Sequence, residues 1–511
     1  MSNQQTAKKK YIIGTRGSLL ALTQCKQVQQ HLEDVTGASF ELKIIKTQGD
    51  MDTSKPLWQM EGKDFFTKEL DHALLNREID LVVHSYKDLG SDRPDGIKLA
   101  AITKRQFPHD IILMRKDVVN KIKEVKKLNI GTGSPRRIFN IEKSLSHFIP
   151  YNPEVKTSPL RGNVNTRIKK CIDGQYDGIV LAFAGLERLA LNEQSFTEIS
   201  PLLDQLEFMI LPTSTFPAAA SQGALAIESH ESNDELNALL EKVHHAPTAK
   251  AVGVEREIFQ SFGGGCHLAV GITTTSHQNI LRTSVQGISD GVVVDRYELS
   301  STNSTQTTPE NKVFIGLPLP KDNPSVGDEL TEKYPLENKL DLKSEVIYLT
   351  SLNGRKNINL AEASFLATAG TKSWKDIAKE GVWVHACSDG LGEDELIALK
   401  SSKLLNKINP KLSGDWKVCS HPNGETELGE IIPSYDAREI APPADFEEKL
   451  KNCEVFFWTS YRQYETYLKH YPWLSEKTHC CGLGKTWQKM ETNKVDVTPF
   501  SGMKEFKRWL K

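Results

Sequence analysis

Between Tyr11 and Phe183 short apolar runs alternate with amphipathic ones, and this alternation constrains the fold more than any other feature of the chain. Tyr11-Ile-Ile-Gly14 reads as a buried strand, and Ser18 begins an amphipathic run with Leu19, Leu22, Cys25, Val28 and Leu32 on one face. Phe40 to Lys46 is the next strand. The Gly62-Lys63-Asp64 loop precedes a helix from Phe65 to about Arg77, and Ile79 to His84 is again a strand. A second block starts near His109, with strands Asp110 to Met114, Ile130 to Thr132 and Gly178 to Phe183. Strand and helix in turn imply α/β architecture with a largely parallel sheet, in which ligands gather beyond the carboxyl ends of strands.

At 511 residues the chain exceeds a single core, and its length suggests about three or four domains. No run of about 18 apolar residues exists to span a membrane, and the polar start, Met1 to Lys10, lacks the apolar core of a secretory signal. The net charge of -2 argues against a globally basic nucleic-acid binder, so any anion site must come from local clustering. Eight cysteines without a CxxC pair suit reduced thiols in the cytoplasm. His479, Cys480 and Cys481 come nearest to a metal cluster, and no metal is assigned.

Local clustering is what the strand ends carry. Thr15-Arg16-Gly17 lies between the first strand and a helix start capped by Ser18, which makes a small anion site from orphan N–H groups plus a cation. In Gly133-Ser134-Pro135-Arg136-Arg137, Ser134 can cap and Pro135 can take the first helical position. Asn163 is a further cap, with Arg161 and Arg167 flanking its first turn, and Arg188 lies on the helix after Phe183. Each arginine alone reads as a solvated surface residue. Their recurrence at helix starts points to a ligand with several negative charges, since guanidinium forks match carboxylate or phosphate. No GxxxxGK[ST] run supports a nucleotide site. Asp88, in His84-Ser-Tyr-Lys-Asp-Leu89, is either a proton-transfer carboxylate at a strand end or a turn residue paired with Lys87.

The stretch Phe216 to Glu228 is expected to return the chain to the first block, followed by helices from Asn233 to about Phe262. Phe262-Gly-Gly-Gly-Cys266 reads as a loop, because consecutive glycines weaken helix and strand alike. Cys266 is either an accessible thiol or an incidental one before a buried strand, Leu268 to Val270. Strands Ile280 to Val285 and Gly291 to Leu299 complete a small α+β unit, and the polar Ser300 to Pro309 stretch reads as a linker.

Taken together, Gly14-Thr-Arg-Gly-Ser18, Gly62-Lys-Asp-Phe-Phe-Thr-Lys-Glu-Leu70, His84-Ser-Tyr-Lys-Asp88, Gly131-Thr-Gly-Ser-Pro-Arg-Arg137, Leu160-Arg-Gly-Asn163, Leu181-Ala-Phe-Ala-Gly-Leu-Glu-Arg188, Gln222-Gly-Ala224 and Gly264-Gly-Cys266 resemble hydroxymethylbilane synthase, or porphobilinogen deaminase. The resemblance implies two α/β domains like periplasmic binding proteins, residues 10–105 with 212–230 and residues 106–211, and a small α+β domain, 231–302, bearing the cofactor cysteine. It implies a dipyrromethane cofactor held covalently by Cys266 and built from substrate. Porphobilinogen units, each with an acetate and a propionate, are then added until a linear tetrapyrrole is released. By match Lys87, Ser134, Arg136, Arg137 and Arg188 face the cofactor, while Arg16, Ser18, Lys63, Arg161, Arg167 and Gln222 face substrate. Asp88 does the chemistry. Loss of ammonia leaves an azafulvene cation that a carboxylate stabilises, and the same group can move the proton. Neighbouring cations such as Lys87 oppose the proton-donor role, so the electrostatic role leads. Tyr86, Gly90, Gly133 and Pro135 depart from the family pattern without removing a charge.

After a linker at 303–312, residues 313–511 contain an internal echo: Val346-Ile-Tyr-Leu-Thr-Ser351 against Val455-Phe-Phe-Trp-Thr-Ser460, then Ala369 to Trp374 with Gly381 to Val384 against Leu483 to Trp487 with Val495 to Val497. Each half closes on a helix, Glu393 to Leu399 and Met503 to Leu510. These two strand-helix-strand-helix halves are similar to uroporphyrinogen-III synthase, although Trp374 and Trp487 replace its small residue. A two-lobed α/β region is expected, and with it a bifunctional enzyme of tetrapyrrole (haem) biosynthesis or a synthase carrying a degenerate domain. The rival from another class is a non-catalytic binder of small polyanions. Porphobilinogen is the expected partner, with no nucleic acid or membrane, in a cytoplasmic monomer.

Overall fold

The computed structural model describes residues 9–47, 67–90, 92–265, 268–277, 280–300, 307–337, 341–356 and 358–510. Cys266 and Lys63, and part of the expected helix from Phe65, lie outside the described residues. The chain divides into two compact units, residues 1–146, 153–275 and 283–296 in one, and 147–152, 276–282 and 297–511 in the other.

The first unit contains two five-stranded sheets. One is formed by β1 (Lys10–Thr15), β2 (Ser39–Ile44), β3 (Leu81–Ser85), β4 (Ile97–Ile102) and β10 (Leu225–His230), in the order β2-β1-β3-β10-β4. The other is formed by β5 (Asp110–Arg115), β6 (Lys127–Gly131), β7 (Glu154–Ser158), β8 (Gly178–Ala182) and β9 (Leu206–Ile210), in the order β7-β6-β8-β5-β9. In each sheet four of the five strands run the same way, as expected of a largely parallel sheet, and one strand opposes them. β10 runs antiparallel to both β3 and β4, and β5 runs antiparallel to both β8 and β9. Apolar runs such as Ile111 to Met114, buried on both faces, mark a central strand but carry no record of its direction.

Helix Leu19–Thr36 starts where expected, with Ser18 Oγ accepting from the Ala21 N–H at 3.3 Å. Its buried face is Thr23, Gln24, Cys25, Val28 and Leu32, so Leu19 and Leu22 are only half-buried and a polar residue, Gln24, is turned inward. The small strands are β11 (Ala269–His277), β12 (Ile280–Ser289) and β13 (Val292–Leu299) in that order, the first of them longer than the Leu268 to Val270 run read from the sequence. Helix Ala246–Ser261 leads to the glycine run, where Gly263, Gly264 and Gly265 have φ of 85°, 62° and 99°. Only glycine adopts three such values in succession without strain, which explains the run.

The second unit holds two wholly parallel sheets. Strands Val346–Leu349, Phe365–Thr368, Ala386–Cys387, Trp416–Ser420 and Gly429–Pro433 form a five-stranded one, and Val313–Ile315, Val455–Trp458, Thr478–Gly482 and Thr498–Phe500 a four-stranded one. A two-stranded antiparallel ribbon pairs Thr331–Pro335 with Tyr435–Glu439. The sequence echo corresponds to a structural one, since Ser351 and Ser460 both cap the turn that follows their strand through the hydroxyl. Two expected strands are displaced: Gly381 to Val384 is a connection before Ala386–Cys387, and Val495 to Val497 precedes Thr498–Phe500. No helix of the described residues is long and apolar enough to cross a membrane.

Candidate active site

Four chain segments meet where β3, β8 and the return loop before β10 end. Strand β3 runs into a 3-10 turn, Tyr86–Asp88, that holds Lys87 half-buried and Asp88 exposed. The Tyr86 N–H donates to the Ala224 carbonyl (3.1 Å), which ties this turn to the loop ahead of β10. Arg256, from helix Ala246–Ser261, closes the turn from the other side. Its guanidinium donates to the carbonyls of Tyr86, Leu89 and Gly90 at 3.0–3.3 Å and lies 4.5 Å from the Tyr86 ring centroid. The pairing gives Tyr86 a cation–π role.

Arg136 and Arg137 open helix Pro135–Ser144, with Pro135 in its first turn as expected. Ser134 occupies the N-cap position, but its side chain makes no capping hydrogen bond; its N–H donates to the Thr132 hydroxyl at 3.3 Å. Both guanidiniums are buried and converge on Asp110, the first residue of β5: Arg136 Nη1 donates to Oδ2 at 2.8 Å and Arg137 Nη2 to Oδ1 at 2.7 Å. Burial by itself would raise the Asp110 pKa, yet the two guanidiniums hold it far below the usual carboxylate range. Gln222 Nε2 also donates to Asp110 Oδ1 (2.9 Å), and its Oε1 accepts from Lys87 Nζ at 3.4 Å.

Gln222 sits on a backbone that few sequences permit. Ser221 has φ 65° and Gly223 φ 91°, and a Cβ on Gly223 would lie 2.3 Å from the Gln106 carbonyl oxygen. Arg105 and the fully buried Glu255 hold this turn: Arg105 Nε donates to the Gln222 carbonyl (2.8 Å), and Glu255 accepts from Arg105 and from the Ser221 and Thr274 N–H groups. Arg188 is buried on helix Phe183–Leu191 and donates to the Gly223 carbonyl at 2.7 Å. Lys87, Arg188, Gln222, Gln24 and Ser85 line one cavity of about 40 Å³. Gln24 Nε2 donates to Ser85 Oγ (2.9 Å), which explains the inward turn of this helix residue.

Burial lowers Lys87 to about 8, with Asp88 opposing the shift. It lowers Arg188 to about 10, and burial with Arg137 and Arg161 nearby lowers Arg167 to about 10, so both arginines stay charged at neutral pH. Arg167 also sets its Nε on the Gly162 carbonyl (2.6 Å), on the helix that Asn163 caps through the Thr166 N–H (3.0 Å). Arg16 and Arg161 are half-buried, and the Ser18 hydroxyl is engaged as a helix cap. Lys87, Gln222, Arg188, Arg136 and Arg137 thus form one connected cluster. Sequence reasoning missed Asp110, Arg105, Glu255 and Arg256; the only signal was a charged residue beginning or flanking an apolar run.

A separate cluster, Asp71, His84 and Glu228, has ligand atoms within 4.8 Å of one another, but Arg93 donates to both carboxylates at 2.5–2.7 Å and supplies the cation there. In the second unit His479 Nδ1 accepts from the Trp458 indole (3.1 Å), and the neighbouring Cys480 and Cys481 are packed into different apolar clusters.

The buried cations thus lie at the strand ends of two mixed α/β sheets. Comparison with known proteins adds to this. Residues 11–238 match the family model described as "Porphobilinogen deaminase, dipyromethane cofactor binding domain". Porphobilinogen deaminase of Desulforudis audaxviator is 38% identical over 266 residues, 52% of this chain and 79% of that protein. That of Brevibacillus brevis is 37% identical over 285 residues, 55% of this chain and 86% of the relative, and that of Oceanobacillus iheyensis 34% over 304 residues, 59% and 92%. The chain belongs to the porphobilinogen deaminase family. A solved structure of a probable amino-acid ABC transporter extracellular-binding protein from Bacillus subtilis aligns with 50% of this chain and 97% of its own at 11% identity, with a TM-score of 0.26.

The dipyrromethane named by the family model is a carboxylate-bearing group, and the cluster fits it. Arg137 Nε and Arg188 Nε are buried donors with no hydrogen-bond partner among the described residues. Orphan donors of this kind are costly unless a ligand satisfies them.

Proposed function

We propose that the chain is a hydroxymethylbilane synthase, a transferase that condenses four porphobilinogen units on a dipyrromethane bound covalently to Cys266. The observation that carries the reading is the buried arginine cluster with its unsatisfied Nε donors, in a chain of the deaminase family. Arg136, Arg137 and Arg188, with Lys87 and Ser134, would hold cofactor carboxylates, and Arg16, Ser18, Lys63, Arg161, Arg167 and Gln222 those of substrate. When bound, the dipyrromethane supplies the pyrrole carbon that receives the first unit. Asp88, exposed beside Lys87, stabilises the cation left when the substrate's C–N bond breaks and ammonia departs. It can then take the proton from the pyrrole carbon as the new C–C bond forms. The seven described cysteines are all buried, with burial pushing Cys25, Cys171, Cys419 and Cys453 up to about 12, so none is a ready thiolate.

Domain limits of 10–105 with 212–230, 106–211 and 231–302 belong to this reading, as do a cytoplasmic location and a monomer. Residues 313–511 are proposed to be a uroporphyrinogen-III synthase-like domain that cyclises the linear product. The repeated Ser-capped strand ends and two parallel sheets support it.

Intact mass tests the first activity. Chain made in cells that supply porphobilinogen should carry an excess of two substrate units less ammonia, absent in Cys266→Ser. Unmodified wild-type chain would sink the cofactor assignment and favour a non-catalytic polyanion binder. For the second activity, porphobilinogen is supplied and the cyclic isomer identified; isomer I alone means a degenerate C-terminal domain.

A further inference from the structure

We propose that Asp110 is a positioning residue of the deaminase reaction: it sets the two guanidiniums of Arg136 and Arg137 in the orientation in which they would hold the cofactor's carboxylates. The inference rests on the deaminase reading.

Asp110 is 1% exposed, and both of its oxygens are engaged, Oδ2 by Arg136 and Oδ1 by Arg137 and Gln222. Two guanidiniums side by side repel each other, and burial adds a desolvation cost to each; a shared carboxylate offsets both effects. Without it the like charges would swing apart toward water, since only single carbonyl contacts, Arg136 to Pro217 at 2.8 Å and Arg137 to Val180 at 3.1 Å, would remain. Asp110 takes one Nη of each fork and leaves Arg137 Nε unpartnered, so the carboxylate fixes the guanidinium plane without consuming its binding edge. Through Gln222 the same carboxylate reaches Lys87, the neighbour of Asp88 in the turn. One buried acid therefore connects the groups that hold the cofactor to the turn that bears the proposed catalytic carboxylate. Its position is rigid, because Asp110 pairs with Ala182 in the β5–β8 ladder.

Of the residues proposed for substrate, Asp110 engages Gln222, which also contacts Lys87, whereas Arg16 follows β1 and Arg161 precedes the Asn163-capped helix, so its loss should move turnover more than substrate affinity. The test uses full-length wild type, Asp110→Asn and Asp110→Glu, with intact mass for the loaded fraction, kcat and KM for porphobilinogen, and thermal melting. Asp110→Asn should load several-fold less cofactor, and its loaded fraction should lose about tenfold or more in kcat with KM within about threefold, as expected when a reacting group is misplaced by a fraction of an ångström. Asp110→Glu keeps the charge but displaces both forks, so it should load like wild type and still lose about threefold in kcat. Wild-type loading and kcat in Asp110→Asn, or a lowered melting temperature with kinetics intact, overturns the proposal. If Asp110→Asn does not fold, Asp110→Glu decides, and wild-type kcat there is the refuting result. Loaded, active wild type beside an indistinguishable variant refutes the role of Asp110 alone, whereas wild type that is unloaded and inactive refutes the deaminase reading.

Discussion

Replacing Glu255 by Ala tests whether the Gln222 turn is held from beneath. Glu255 is fully buried, and its carboxylate accepts from Arg105 Nη1 (2.7 Å) and Nη2 (3.2 Å) and from the N–H groups of Ser221 (2.6 Å) and Thr274 (2.6 Å). Breaking one side of a buried ion pair costs about 3–5 kcal/mol, because the remaining charge stays in a low-dielectric site. Two backbone N–H groups would also lose their acceptor, at about 1–3 kcal/mol each, although water entering the vacated volume recovers part of that. The terms do not add, and a loss of about 5 kcal/mol is expected, comparable with the whole stability of a small domain. Glu255→Gln keeps the shape and one acceptor and should cost about half as much. Removing Arg105 as well should restore part of the loss, since no unpaired charge then remains. Tryptophan emission is a poor probe, because the tryptophans other than Trp58 lie between Trp374 and Trp509. Urea unfolding followed by hydrogen exchange of segments containing Ser221 and Thr274 reports the relevant region. A loss under about 1 kcal/mol with unchanged protection of these two amides would refute the argument that Glu255 supports the turn.

Burial lowers Lys87 from 10.5 to about 8, so the folded chain releases this proton earlier than the unfolded one. The destabilisation from burying the ammonium is complete below pH 8 and relieved between pH 8 and 10.5, and kcat/KM, which needs the cation, should fall as pH rises through about 8. Lys87→Arg should move that limb upward, and an unmoved limb assigns it to another group. Gly223→Ala places a Cβ 2.3 Å from the Gln106 carbonyl oxygen at φ 91°. A loss of about 2–4 kcal/mol is expected in melting experiments, together with a reduced cofactor-loaded fraction by mass; a variant that melts and loads like wild type removes the turn from the site.

Much of the candidate site was legible because its residues sit where local chemistry marks them. Arg136 follows a proline at a helix start, Arg167 follows a capping Asn163, and Lys87 ends a buried strand, each a pattern of a few adjacent residues. The supports were not legible. Arg105 reaches Glu255 across 150 residues and Arg93 reaches Glu228 across 135, and nothing local distinguishes such charges from solvated ones. The direction of β5 and β10 was hidden for a related reason: strand composition reports burial, whereas direction depends on where the chain has been before it arrives.

By itself the sequence determined an α/β chain, the glycine run ahead of Cys266, and the repeated pairing of arginines with helix starts. Only the tertiary structure decided that Asp110 gathers Arg136 and Arg137, that Gln222 bridges this carboxylate to Lys87, and that Arg105 with Glu255 holds the turn beneath. The division has a physical cause. Helix caps, strand runs and glycine turns are settled by neighbours within a few residues, while the pairing of buried charges is settled by which distant residues are excluded from water together.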